Sequence, residues 1–187
     1  FLETMDRIQD LLRYAFQSRN PLTIPVSGTG SAAMETAMAN LIEPGDPVLI
    51  CVNGFFGDRM ADMARRYQGE VRILQRPWAE VFTLEEIEAE LKARPAKVVA
   101  IVHGETSTGA LQPLEGMAEM VRERGGLLVV DAVATLGGVP LLVDELGIDV
   151  CYTGSQKCLS VPPGLGPITL GPRAAEALAA RKTPVGS

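Results

Sequence analysis

Apolar residues recur along this chain in two alternating rhythms, one of period near 3.6 and one of short unbroken runs. Residues 1–18 place Leu2, Met5, Ile8, Leu11, Leu12 and Ala15 at helical spacing, and Arg19-Asn20-Pro21 stops that helix. A short strand is expected over 22–26 and a helix over 32–41. Glu43-Pro44-Gly45-Asp46-Pro47 turns the chain into a strand over 48–52, which Asn53-Gly54 breaks. A helix over 56–67 and a strand over 71–74 follow. Thr83 and Glu86 fit a capping box, and Leu84, Ile87 and Leu91 give the helix that opens there an apolar face up to Pro95. Beyond it the pattern predicts a strand over 97–102, a helix over 114–124 and a buried strand over 127–130 that ends at Asp131. Strands over 148–152 and 166–170 and a helix over 173–182 complete the set.

Strands alternate with helices at βα spacing through most of the chain. That predicts an α/β fold of three layers, a largely parallel sheet with helices on both faces. Ligands of such sheets bind beyond the carboxyl ends of the strands. The polar clusters fall at those ends: Thr29-Gly30-Ser31, Asn53-Gly54, Glu105-Thr106-Ser107, Asp131 and Ser155-Gln156-Lys157. The sequence shows no internal repeat and no low-complexity segment.

Composition narrows the picture. A length of 187 residues suits one domain, taken as 1–187. The net charge of −6, with no basic patch or arm, argues against nucleic acid as a partner. No apolar run approaches the ~20 residues that cross a bilayer, so no membrane span is expected. Phe1-Leu2-Glu3-Thr4 has neither the basic start nor the apolar core of a signal peptide. Cys51, Cys151 and Cys158 lack metal or disulfide-framework spacing, which fits a cytoplasmic setting. His103 is the only histidine, so a multi-histidine metal site is excluded. The opening directly into a helix and the tail Arg181-Lys182-Thr183-Pro184-Val185-Gly186-Ser187 suggest part of a longer protein, or only its ordered part.

Three strand-end segments carry chemistry. Ser27-Gly28-Thr29-Gly30-Ser31 joins a strand to a helix, whose first turn offers unpaired amides and a positive dipole end. A phosphate suits it; so does a tight turn with Ser31 as an ordinary cap. No Gly-Lys-Ser/Thr follows, so it is no P-loop, and it lacks dinucleotide-fingerprint spacing. Asp131, closing a buried apolar strand, calls for a cationic partner such as a protonated pyridine nitrogen, a magnesium ion or an arginine, unless it caps the next turn. Lys157 follows a core strand after a short polar turn, either as a solvated loop lysine or as one placed to react. A phosphate seat, a buried acid and a strand-end lysine together match what pyridoxal phosphate requires.

Seven segments extend that match: Asn20-Pro21-Leu22-Thr23, Ser27-Gly28-Thr29-Gly30, Glu43-Pro44-Gly45-Asp46, Asn53-Gly54-Phe55-Phe56-Gly57, His103-Gly104-Glu105-Thr106-Ser107-Thr108-Gly109, Asp131-Ala132-Val133-Ala134 and Gly154-Ser155-Gln156-Lys157. Through them the chain resembles the class V, fold-type I aminotransferases, on the alanine–glyoxylate and serine–pyruvate branch, over essentially its whole length. The resemblance implies pyridoxal 5'-phosphate as cofactor. It implies that Lys157 carries the cofactor's aldehyde and shuttles the α-proton, and that Asp131 pairs with the pyridine nitrogen. Thr29, Gly30 and Ser31 match the phosphate-holding segment, although the family often has histidine where Ser31 stands. Phe56 matches a stacking aromatic, commonly tryptophan, with Val133 on the opposite ring face. Thr106 matches a hydroxyl near the ring oxygen, and Gln156 a side chain close to the cofactor.

The resemblance further implies ping-pong transfer from a small amino acid, alanine or serine, to glyoxylate or pyruvate, by a homodimer. About half of the family's chain, including a small carboxyl-terminal domain with the substrate-carboxylate arginine, falls outside this segment. By itself the segment is expected to be inactive. Ureidoglycine–glyoxylate and 2-aminoethylphosphonate–pyruvate transaminases, a cysteine-desulfurase-like lyase and a non-catalytic nucleotide-binding α/β domain stand as alternatives. The lyase branch usually has histidine where Gln156 stands, so Cys158 is read as a packing residue. Lys157 already fills the role of general base, so His103 is read as structural.

Overall fold

The computed structural model describes residues 1–185; Gly186 and Ser187, the end of the expected tail, lie outside the described residues. Uninterrupted apolar runs build the centre of the sheet. Strands β2 (Pro47–Val52), β4 (Val98–Val102) and β7 (Leu127–Asp131) are buried almost end to end, as strands covered on both faces must be. With β1 (Leu22–Ser27), β3 (Glu70–Gln75), β8 (Val150–Tyr152) and β9 (Leu165–Leu170) they form one sheet in the order β1-β9-β8-β7-β4-β2-β3. Only β9 runs against the rest; it pairs antiparallel with both β8 and β1. The expected largely parallel sheet is therefore present, with one reversed strand.

Alternation along each strand sends side chains to two separate cores. On one face Leu49, Val99, Ile101, Leu128 and Val130 pack against helices α4 (Leu84–Ala93), α5 (Met117–Glu123) and α6 (Val143–Leu146). Phe16 joins this layer from the end of α1 (Leu2–Phe16). On the other face Val48, Ile50, Val98, Ala100 and Val129 meet α2 (Gly30–Leu41), α3 (Phe55–Arg66) and α7 (Pro172–Ala179). Burial of these aliphatic side chains, at roughly 1.5–3 kcal/mol each, is the main force that fixes strand order. The capping box opening α4 is formed: Thr83 Oγ1 accepts from Glu86 N, and Glu86 accepts from Thr83 N.

Several boundaries differ from the sequence expectation, for local reasons. Helix α5 starts at Met117 rather than 114 because Gly116 takes a left-handed φ of 76°. Strand β8 starts at Val150 because Ile148 N is used to close α6, bonding to Val143 O. The four-residue α6 and the hairpin of β5 (Gly104–Glu105) and β6 (Ala110–Leu111) were not expected. In α1, Leu2 and Leu11 of the anticipated apolar stripe are exposed, and the buried residue is Phe16. That helix lies against the β1–β9 edge of the sheet, which is too narrow to cover a full stripe. None of the helices is long and apolar enough to cross a membrane among the described residues.

Candidate active site

The carboxyl ends of the central strands are level. Val102 stands opposite Asp131, and Asp131 opposite Tyr152. An open pocket of about 180 Å³ sits on this rim. All nine residues singled out from the sequence line it: Thr29, Gly30, Ser31, Phe56, Thr106, Asp131, Val133, Gln156 and Lys157. They come from five separate segments at the ends of strands and the starts of helices, and the fold brings every one of them together. Met34, Val102, Gly104 and Ala134 complete the wall.

One end of the pocket suits an anion. Helix α2 begins at Gly30 without a side-chain cap, and the amides of Gly30 and Ser31 have no acceptor among the described residues. Such a helix start favours negative charge through its bare N–H groups and dipole. Gly30 is required by contact rather than by φ: a Cβ there would lie 2.6 Å from Val133 Cγ2. The close approach lets the backbone of α2 and the side chain of Val133 share one narrow floor.

The other end suits a cation. Asp131 is only 3% exposed, and burial raises its carboxyl to about 6. Its own supports pull the other way: Val133 N donates to Oδ1 at 2.9 Å and Tyr152 Oη donates to Oδ2 at 3.0 Å. No ion pair engages it among the described residues. A buried carboxylate held by two neutral donors still gains from a positive partner in the pocket. Tyr152 is the partner that sequence reading missed. It lay inside an apolar run, and only the pairing of β7 with β8 sets it beside Asp131.

The flanks differ in exposure. Lys157, Gln156 and Thr106 are exposed, and Phe56 is half-buried, with its ring edge-on to Phe55 at 5.3 Å between centroids. His103 is outside this pocket; its Nδ1 lies 2.9 Å from Thr135 Oγ1, and burial lowers its basicity. Cys158 is exposed, with its thiol directed at Ala134 O, 3.3 Å away. Cys51 and Cys151 are buried free thiols, and burial raises both well above their ordinary range. No cluster of ligating side chains able to hold a metal occurs among the described residues.

Comparison with known proteins places this geometry. The family model described as aminotransferase class V matches residues 1–186. An alanine–glyoxylate aminotransferase of Rattus norvegicus is 45% identical over 181 residues, which is 97% of this chain and 44% of the relative. An (S)-ureidoglycine–glyoxylate transaminase of Bacillus subtilis is 45% identical over 182 residues, with the same two shares. The crystal structure of an alanine–glyoxylate aminotransferase from Nostoc superposes with a TM-score of 0.99 at 55% identity, over 100% of this chain and 50% of that one. The chain thus spans about half the length of the relatives it matches. By the match to its family model and by these likenesses, the chain belongs to the class V aminotransferases, a pyridoxal-phosphate-dependent family.

Proposed function

We propose that residues 1–187 are the cofactor-binding large domain of an aminotransferase, incomplete at both ends relative to the family. The reaction we assign moves an amino group from alanine or serine to glyoxylate or pyruvate. One observation carries the reading: a bare helix start, a buried acid with no salt bridge and an exposed lysine face a single pocket. These features fit pyridoxal phosphate, whose phosphate, ring nitrogen and aldehyde need those three partners. The bound cofactor would supply an electrophilic carbon for the amino group and a ring that withdraws the electrons of the breaking bond.

The chain's own residues have distinct tasks. Thr29, Gly30 and Ser31 hold the phosphate. Asp131, oriented by Val133 N and Tyr152 Oη, holds the ring nitrogen and keeps it protonated. Phe56, Val133, Thr106 and Gln156, which line the same pocket, would hold the cofactor ring between them. Lys157 Nζ anchors the cofactor, takes the proton from the donor's Cα and returns one to the product. General acid–base work of this kind contributes about 10²–10⁴ in rate.

The protein is read as a cytoplasmic homodimer, in keeping with its free thiols and the family resemblance. A donor panel of alanine, serine, ureidoglycine and 2-aminoethylphosphonate against glyoxylate and pyruvate tests the reaction in the full-length polypeptide. Parallel initial-rate lines and the highest kcat/KM with alanine or serine are expected. Preference for ureidoglycine would move the assignment to the second reading, which the Bacillus subtilis relative favours. Failure of every donor to aminate either oxo acid would reject transamination. The isolated 187-residue chain is expected to bind cofactor weakly and to turn over poorly; robust turnover by it would contradict its assignment as a partial domain.

A further inference from the structure

Two helices point their first turns at the pocket rim, and the chain treats them in opposite ways. Helix α2 is left bare. Helix α3 is plugged by a side chain from the β5–β6 hairpin. Glu105 is 1% exposed, and its carboxylate accepts four hydrogen bonds. Oε2 takes Phe56 N at 2.9 Å and Gly57 N at 3.3 Å; Oε1 takes Ser107 N at 3.1 Å and Ser107 Oγ at 2.7 Å. Ser107 Oγ in turn accepts from Phe55 N at 3.0 Å. The three leading amides of α3 are thus all consumed by one loop.

The chemistry demands an acceptor on both branches. Three of the four donors to Glu105 are backbone N–H groups, which cannot reverse. The fourth, Ser107 Oγ, already accepts from Phe55 N, so its proton goes to Glu105. Two oxygens with about four lone-pair directions are matched donor for donor. Glutamine would turn an N–H₂ toward N–H donors on one branch, and a buried donor left unpaired is costly. Packing closes the arrangement. A Cβ on Gly54 would lie 2.3 Å from Glu105 Cγ and 2.6 Å from Ser107 Oγ, so only glycine lets the two loops meet there.

The clamp touches the pocket wall on both sides without entering it. Phe56, whose amide it holds, lines one side, and Thr106, between its two members, lines another. We infer that Glu105, together with Ser107, is a positioning residue that sets Phe56 and Thr106 against the cofactor ring. The inference rests on the cofactor reading given above. Plugging α3 also leaves α2 as the bare helix start on this rim, so an anion is directed to one place.

The test uses full-length apo-protein titrated with pyridoxal phosphate, read by absorbance and by the visible circular dichroism induced in the bound ring. Asp149→Asn is the comparator. Asp149 is an equally buried carboxylate at the opposite end of the strands, accepting from Leu128 N and Arg173. Glu105→Gln is expected to raise Kd on the order of tenfold and to diminish the induced dichroism, because the ring loses its fixed wall. Ser107→Ala, the milder variant, is expected to raise Kd about threefold, and it decides the matter if Glu105→Gln does not fold. Asp149→Asn should lower thermal stability while leaving Kd within twofold. Unchanged Kd and dichroism in the variants that fold, or an Asp149→Asn loss of affinity as large as theirs, would overturn the clamp and leave the cofactor reading standing. A wild-type protein that takes up no pyridoxal phosphate would overturn both.

Discussion

Lys157→Ala is expected to abolish covalent retention of pyridoxal phosphate and to cut turnover by about 10⁴ or more, since the proposed function gives one side chain the tasks of anchor and proton carrier. The structure makes the effect specific. Lys157 is exposed on the pocket rim and has no hydrogen-bonded side-chain partner among the described residues, so its removal leaves no buried group unsatisfied. Stability should therefore change by less than about 0.5 kcal/mol, the ordinary range for surface substitutions. The measurement is borohydride reduction of the full-length protein followed by tryptic mapping. Trypsin cannot cut at a modified Lys157, so the label should ride on the fragment from Gly125 to Arg173. The variant should carry no label and show no visible absorbance after gel filtration. Label on any other lysine, or a variant that keeps its colour through denaturation, would remove Lys157 from the centre of the reaction.

How much of this was visible beforehand depends on the range of the interaction. The sheet's central strands were legible because Val98–Val102 and Leu127–Asp131 are unbroken apolar runs that have no other stable home. The rim was legible because a polar residue directly after such a run must sit at a strand's end, as Asp131 does. Strand direction was not legible: Leu165–Leu170 has the same pattern whichever way it runs, and its reversal shows only in pairing with β8 and β1. Nor were the supports of the site. Tyr152 lies 21 residues from Asp131, and Glu105 lies 49 residues from Phe56. Neither separation has a periodic signature, so those bonds follow from strand order and loop packing alone. Elements of two to four residues, such as β5, β6 and α6, are too short to carry a period at all.

The substitution Asp131→Asn should separate stability from function. In the folded apo-protein burial lifts the Asp131 carboxyl from 3.8 to about 6. Below pH ~4 the folded and unfolded chains are both protonated at this group, and it has no effect on folding. Between ~4 and ~6 the unfolded chain ionises first, so rising pH favours unfolding. Above ~6 the full penalty is present, on the order of 2–3 kcal/mol. Asparagine escapes it and keeps both supports, since its oxygen can accept from Val133 N while its amide donates to Tyr152 Oη, which is free to rotate. Apo Asp131→Asn should thus melt above the wild-type apo-protein at pH 7.5, with the gap closing toward pH 4. Turnover should move the other way, falling by roughly 10²–10³ on loss of a preorganised charge at the reacting ring. On the proposed function, the cost of burying a carboxylate without a salt bridge is the stability given up for a site that takes a cation. Wild-type turnover in the asparagine variant would show that Asp131 does not hold the ring nitrogen. A variant less stable than wild type at pH 7.5 would show that the pocket already compensates the buried charge.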